Sequence, residues 1–159
     1  MLGLADIITK HLDKGVADIQ KNMDGIDFNA SGQTKGSLNS EVTEGTGYVR
    51  GIIQGAASLE WAETGRPPRT SSEDSGLTSK IYDWMGYRGI GSDLTEKGKQ
   101  GLARFITLKI NRLGTKLYRE KRRRDVYSSV LTETVENIRQ DIGEELANFT
   151  SQQFTKTFK

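Results

Sequence analysis

The sequence predicts an α+β chain: a small antiparallel hairpin with an N-terminal helix, a middle helix and a long C-terminal helix. Three observations predict it. Apolar residues recur every three or four positions near both ends and again in the middle, the period of a helix with one apolar face. Two runs of β-forming residues flank Gly45 and Gly47, the mark of a hairpin. Glycine-rich or proline-rich passages then separate these stretches, as connections should.

Taken in order, residues 1–25 are the N-terminal helix, with Leu4, Ile8, Leu12, Val16, Ile19 and Met23 on one stripe. Gly15 weakens it by about 1 kcal/mol relative to alanine, and Gly25 is a plausible stop. Residues 26–63 hold a loop and the hairpin. The loop, NASGQTKGSL (Asn29–Leu38), is polar and flexible by composition; the strands are expected over Leu38–Thr46 and Tyr48–Ala57. Residues 64–92 form a Pro/Gly loop containing a short helix, Ser79–Tyr87, capped by Thr78 or Ser79, with Ile81, Trp84 and Met85 on one side.

Residues 93–114 are the middle helix. Asp93 and Glu96 suggest a capping box; Leu102, Ile106, Ile110 and Leu113 form the stripe, and Gly114 ends it. Residues 115–130 are an exposed basic loop with room for a turn of helix. The C-terminal helix spans 131–156, with Thr132 as cap and Leu131, Val135, Ile138, Ile142, Leu146 and Phe149 as its apolar stripe. The six segments are expected as one domain, 1–159. Hydrophobic residues are only 34% of the chain, so its own core is modest and association with copies or partners is an expected source of stability.

Composition excludes several chemistries. The chain has no cysteine, which removes disulfides, zinc thiolates and thiol nucleophiles. His11 stands without a second imidazole and reads as an exposed helical histidine; a metal needs several converging ligands. No apolar run approaches the ~20 residues of a membrane span, and the start MLGLADIITKHLDKG is charged too early for a signal peptide. A soluble protein made in a cytoplasm is expected. Glu60 and Glu63 are the best local carboxylate pair for acid–base or glycosidic chemistry, but surface carboxylates at this spacing are common. The sequence makes no positive case for an enzyme.

Charge is segregated although the net is only +2. Residues 99–124 hold ten basic residues against one acid, Glu120, a net +9; residues 1–98 carry −4 and residues 125–159 carry −3. Such segregation speaks of partners and not of fold. The densest part is Arg119–Arg124 (REKRRR), with Arg119, Lys121, Arg122, Arg123 and Arg124, flanked by Tyr118 and Tyr127 and preceded by Lys116. It reads either as a phosphate-neutralising surface or as a solvated or subunit-facing loop.

Several stretches, in order, resemble one family. They are NASGQTKGSLNSEV (Asn29–Val42), a strand ending in AETGRPPR (Ala62–Arg69), SKIYDWMGYRGI (Ser79–Ile90), INRLGTKLYRE (Ile110–Glu120), then DVYSSVL and a last long helix. Over roughly residues 4–150 the chain looks like the tail-completion or neck proteins of tailed bacteriophages. The resemblance implies an α+β subunit, a small sheet packed by those helices, in a ring at the head–tail junction of the virion. It implies no catalytic residue and no cofactor. The implied partners are copies of itself in a ring homo-oligomer, neighbouring portal, connector and tail proteins, and viral DNA bound weakly and nonspecifically in the channel, with no membrane.

Lys116, Arg119, Lys121, Arg122, Arg123 and Arg124 are then candidates to face DNA or a subunit. Ser31, Thr34, Ser37, Glu63, Arg66 and Arg69 are candidate inter-subunit contacts. One departure is the charge in EKRRRDVY, where the family pattern implies a shorter, glycine-containing connection. The alternative function is a small nucleic-acid-binding protein using residues 109–124.

Overall fold

The computed structural model describes residues 3–26, 32–69 and 76–157. Helix α1 spans Leu4–Gly25, and a single turn, α2, spans Gln33–Gly36. Strands β1 (Asn39–Gly45) and β2 (Tyr48–Gln54) pair antiparallel, from Asn39 opposite Gln54 to Gly45 opposite Tyr48. A 3₁₀ turn at Ala57–Leu59 runs into the short helix α3, Glu60–Thr64. Helices α4 (Leu77–Tyr87), α5 (Glu96–Leu113), α6 (Lys116–Arg119) and α7 (Ser128–Thr157) complete the order. The class is α+β, with the N-terminal, middle and long C-terminal helices where the apolar periods place them.

The segments expected as one domain distribute over two compact units. The first contains residues 1–25, 35–56 and 125–159. Here α1 packs on both strands and on α7. A two-stranded hairpin is marginal alone; α1 gives it an apolar cover, and Ser40 of β1 hydrogen-bonds to Asp13 of the helix. The core is Leu12, Ile19 and Met23 of α1 with Leu38, Val126 and Val130. Full burial of side chains such as Ile19 and Met23 stabilises by about 1.5–3 kcal/mol each.

The α1–α7 contact rests on polar pairing. His11 is buried, with Nε2 2.8 Å from Asp141 Oδ2; Lys10 and Lys14 reach Asp141 and Glu133 at 3.1 and 3.2 Å. The exposed histidine expected from sequence is therefore corrected: α7 covers it, and its partner lies 130 residues away. Asn22 donates to the Val126 carbonyl at 3.0 Å, near the start of α7.

The second unit contains residues 26–34 and 57–124. Helices α4 and α5 pack together over Met85, Ala103 and Thr107. The buried positions of α5 are Ala103 and Thr107, each one residue on from Leu102 and Ile106 of the expected stripe. Small side chains let the helices approach, and Thr107 meets its hydroxyl need by donating to Ala103 O at 2.9 Å.

Helix starts differ from expectation for identifiable reasons. α5 begins one residue after Thr95, whose hydroxyl accepts the Gly98 N–H, so Asp93 is not its cap. α4 begins at Leu77 after Gly76 at φ +71°, ahead of both Thr78 and Ser79. α7 begins at Ser128: Asp125 accepts the Ser129 N–H, and Thr132 donates back to Ser128 O within the helix. The strand implied before AETGRPPR is the helical turn α3, its last carbonyls reached by the Gly65 N–H bond to Trp61 O.

Candidate interaction surface

Two of the quoted motifs meet in space. Within the second unit, ETGR follows α3 and GTKLYRE follows α5, and the two segments join backbone to backbone. The Arg66 N–H donates to Thr115 Oγ1, and the Thr115 N–H donates to Arg66 O, both at 3.0 Å. Three residues along, Arg69 N–H donates to Asn111 O at 2.8 Å. Gly65 and Gly114 both hold φ near +75°, where other residues are strained. Side chains are also shut out by contact: a Cβ on Gly65 would lie 2.6 Å from Tyr118 N, and one on Gly114 2.9 Å from Arg66 O. The paired glycines let two helix ends approach this closely.

This junction sets the fate of the charged side chains around it. Glu63 is fully buried, with Oε1 accepting from Arg123 Nε at 3.0 Å and its carbonyl accepting the Arg124 N–H at 2.9 Å. A carboxylate removed from water needs such a partner. The surface-carboxylate expectation is corrected for Glu63, and the Glu60–Glu63 pair is divided, because Glu60 faces solvent. Thr34 meets Ser58 at 2.8 Å and Ser37 accepts the Ala56 N–H at 2.8 Å, so both hydroxyls serve the chain itself. Ser31 lies outside the described residues.

The basic segment separates into roles. Arg123 is directed at Glu63. Arg124 reaches the Ile26 carbonyl at 3.5 Å. Lys116 and Arg122 both flank Glu120, at 3.7 and 3.5 Å, with side chains 80% and 76% exposed; Arg119 and Lys121 are exposed as well. Part of the expected loop is the helical turn α6, and Lys121 adopts φ +52° just after it. That is a conformation glycine takes without strain and other side chains take rarely, at the place where the resemblance implies a glycine.

Beside the junction lies a cavity of about 490 Å³ lined by Ser58, Trp61, Arg66, Pro67, Pro68, Arg69, Leu77 and Lys80. Arg66 is only 9% exposed, and its guanidinium lies over the Trp61 ring, 5.1 Å from the centroid. Burial, and secondarily repulsion from Arg69, pushes its pKa down. Arg69 is exposed at the rim. Sequence reading selected Arg66 and Arg69 but missed Trp61, Leu77 and Lys80 as their companions, because no local spacing signals a wall assembled from three segments.

No His, Asp and Glu grouping among the described residues could hold a metal ion, and no described helix is long and apolar enough to cross a membrane. No family model, no curated protein and no solved structure matches the chain.

Proposed function

We propose that the chain works by association, as a structural virion subunit of the neck or tail-completion kind. It would form a ring at the head–tail junction of a tailed phage, joining portal-side proteins to the tail around the DNA channel. The observation that carries this reading is the uncovered face of α7. Its buried row, Val130 and Thr134, continuing to half-buried Asp141, precedes the apolar stripe by one residue, a rotation of about 100°. Four of the six stripe residues stay exposed, Leu131 at 38%, Val135 63%, Leu146 56% and Phe149 40%, while Ile138 and Ile142 are half-buried. Covering these side chains would gain on the order of 1 kcal/mol each, enough together to favour a repeated contact against the cost of association.

Such a contact closes into a ring when one patch meets a different patch on the next copy and the rotation completes a circle. The strongly basic 99–124 segment and the acidic balance of 125–159 would steer and register that contact. Motif order adds support from the sequence side. The test is a map of intact particles: the reading requires a ring of this chain between portal and tail, and particles lacking it there would end the proposal.

A second reading, nucleic-acid binding through residues 109–124, is favoured by the exposure of Lys116, Arg119, Lys121 and Arg122. It predicts affinity that falls steeply with salt. Replacing Arg119, Lys121 and Arg122 with serine, and leaving Arg123 on Glu63, should then abolish binding. Unchanged affinity would reject this reading.

A further inference from the structure

The cavity beside the glycine junction holds a cation that the described chain does not neutralise. Arg66 is more than nine-tenths buried, and among the described residues its guanidinium has an aromatic ring as neighbour but no carboxylate paired with it. Among the described residues none of Arg66, Arg69 and Lys80 forms an ion pair, although all three line the same space. Buried charge without a counter-charge is costly, and a second cation alongside adds repulsion. Contrast Glu63, three residues earlier, which is fully buried and is met by Arg123 at 3.0 Å.

We propose that this cavity is a receptor for an acidic peptide segment of a partner protein. A glutamate or aspartate carboxylate would be held by Arg66, with Arg69 and Lys80 at the rim, and an apolar neighbouring side chain would lie against Pro67, Pro68 and Leu77. The guanidinium of Arg66 is supported on the Trp61 ring at 5.1 Å, and a planar guanidinium suits bidentate capture of a carboxylate. Two adjacent prolines hold the rim extended and lower the ordering cost of binding.

The same prolines argue against a phosphate. Phosphate sites at helix N-termini and backbone nests rely on N–H groups, and Pro67 and Pro68 contribute none. The Arg66 N–H is bonded to Thr115 and the Arg69 N–H to Asn111. What remains is a cationic floor within apolar walls, the complement of an acidic side chain carried beside a hydrophobic one. The inference does not depend on the ring reading, since the pocket lies within one unit of one chain.

The experiment uses the full chain with Trp84→Phe, leaving Trp61 as the sole tryptophan reporter. Two blocked tripeptides are titrated, leucine–glutamate–leucine and its glutamine counterpart, with inorganic phosphate as a third arm. The expected result is a saturable change in Trp61 emission with the glutamate peptide. That peptide should bind at least tenfold tighter than the glutamine form, and raised salt should weaken it. Arg66→Met should lose at least tenfold in affinity, and Lys80→Gln should lose less.

A thermal melt of Arg66→Met separates a binding role from a structural one. With a methionine packed on Trp61 in place of an uncompensated charge, the variant should melt at or above the parent temperature while failing to bind. Equal affinity for the two peptides, tighter binding of phosphate, or a variant that melts several degrees lower yet binds normally would each overturn the proposal. A ring found without this binding would reject the pocket and leave the ring; binding by a chain absent from the particle would do the reverse.

Discussion

Helices α1 and α7 carry the same signature in sequence and meet opposite fates in the fold. In α1 half of the apolar stripe becomes core: Leu12, Ile19 and Met23 keep 7%, 1% and 0% of their surface, Ile8 and Val16 are half-buried, and only Leu4 at the helix start is exposed. In α7 the stripe has the same number of apolar residues over a similar span, yet Val135 and Leu146 remain more than half exposed. The two helices do pack on each other, but α7 turns its Val130–Thr134–Asp141 side to α1. The difference teaches that periodicity reports an apolar face and is silent about what covers it. An apolar face left open in one chain is the ground for the association proposed above.

Substitutions should break this contrast in graded fashion. The largest effect is expected at Met23→Ala, which empties a fully enclosed site in α1 and should cost about 2–5 kcal/mol in chemical denaturation. Next comes Gly15→Ala. A Cβ there would stand 2.8 Å from Thr134 Oγ1 of α7, so the residue that sequence reading counts as a weak point is where the helices approach. We expect a loss of about 1–3 kcal/mol from overpacking.

Gly143→Ala on α7 sharpens the comparison by reversing its sign. No atom lies within 4 Å of its would-be Cβ, so the only change is helix propensity, and stability should rise by about 0.5–1 kcal/mol. Thermal melts of the two glycine variants side by side would test whether α7 packs as described; a destabilised Gly143→Ala protein would contradict it.

A smaller effect is expected from pH. The Asp141 carboxyl is held below the usual carboxylate range, first by its hydrogen bond to His11 and then by Lys10. A carboxyl whose folded value lies below its unfolded value contributes stability that is complete above the unfolded value, about 3.9 for aspartate. That contribution is lost as pH falls through the folded value. The α1–α7 contact should therefore weaken below about pH 4. Asp141→Asn should lower the melting temperature at neutral pH and flatten the acid limb of a melting series.

The smallest stability effect should come from Val135→Ser, within about 0.5 kcal/mol for so exposed a side chain. Its consequence should appear instead in association, as a lower assembled fraction by light scattering or native mass spectrometry. A variant that unfolds readily would place Val135 in the core and dissolve the contrast.

Much of the architecture was legible in the residues. The hairpin, α1, α5 and α7 follow from spacing alone, and Gly114 ends α5 as its position suggests. Caps were less legible, because Asp93 and Thr95 are both acceptable donors of a capping oxygen and only the path of the chain selects Thr95. The row that α1 turns toward α7, with His11 and Gly15 in it, carries no apolar signal, so no periodicity argument finds it.

The sequence by itself determined where the hairpin and the principal helices form, the segregation of charge, and the absence of cysteine chemistry, because these depend on neighbours in the chain or on composition. Tertiary structure alone decided that Glu63 is buried against Arg123 while Arg66, three residues on, lines a cavity with no carboxylate among its described lining residues. It alone decided that ETGR and GTKLYRE are one junction and that most of the apolar stripe of α7 faces water. The physical reason is that solvation and pairing of a side chain depend on segments brought together by folding, here from about 50 to 130 positions away.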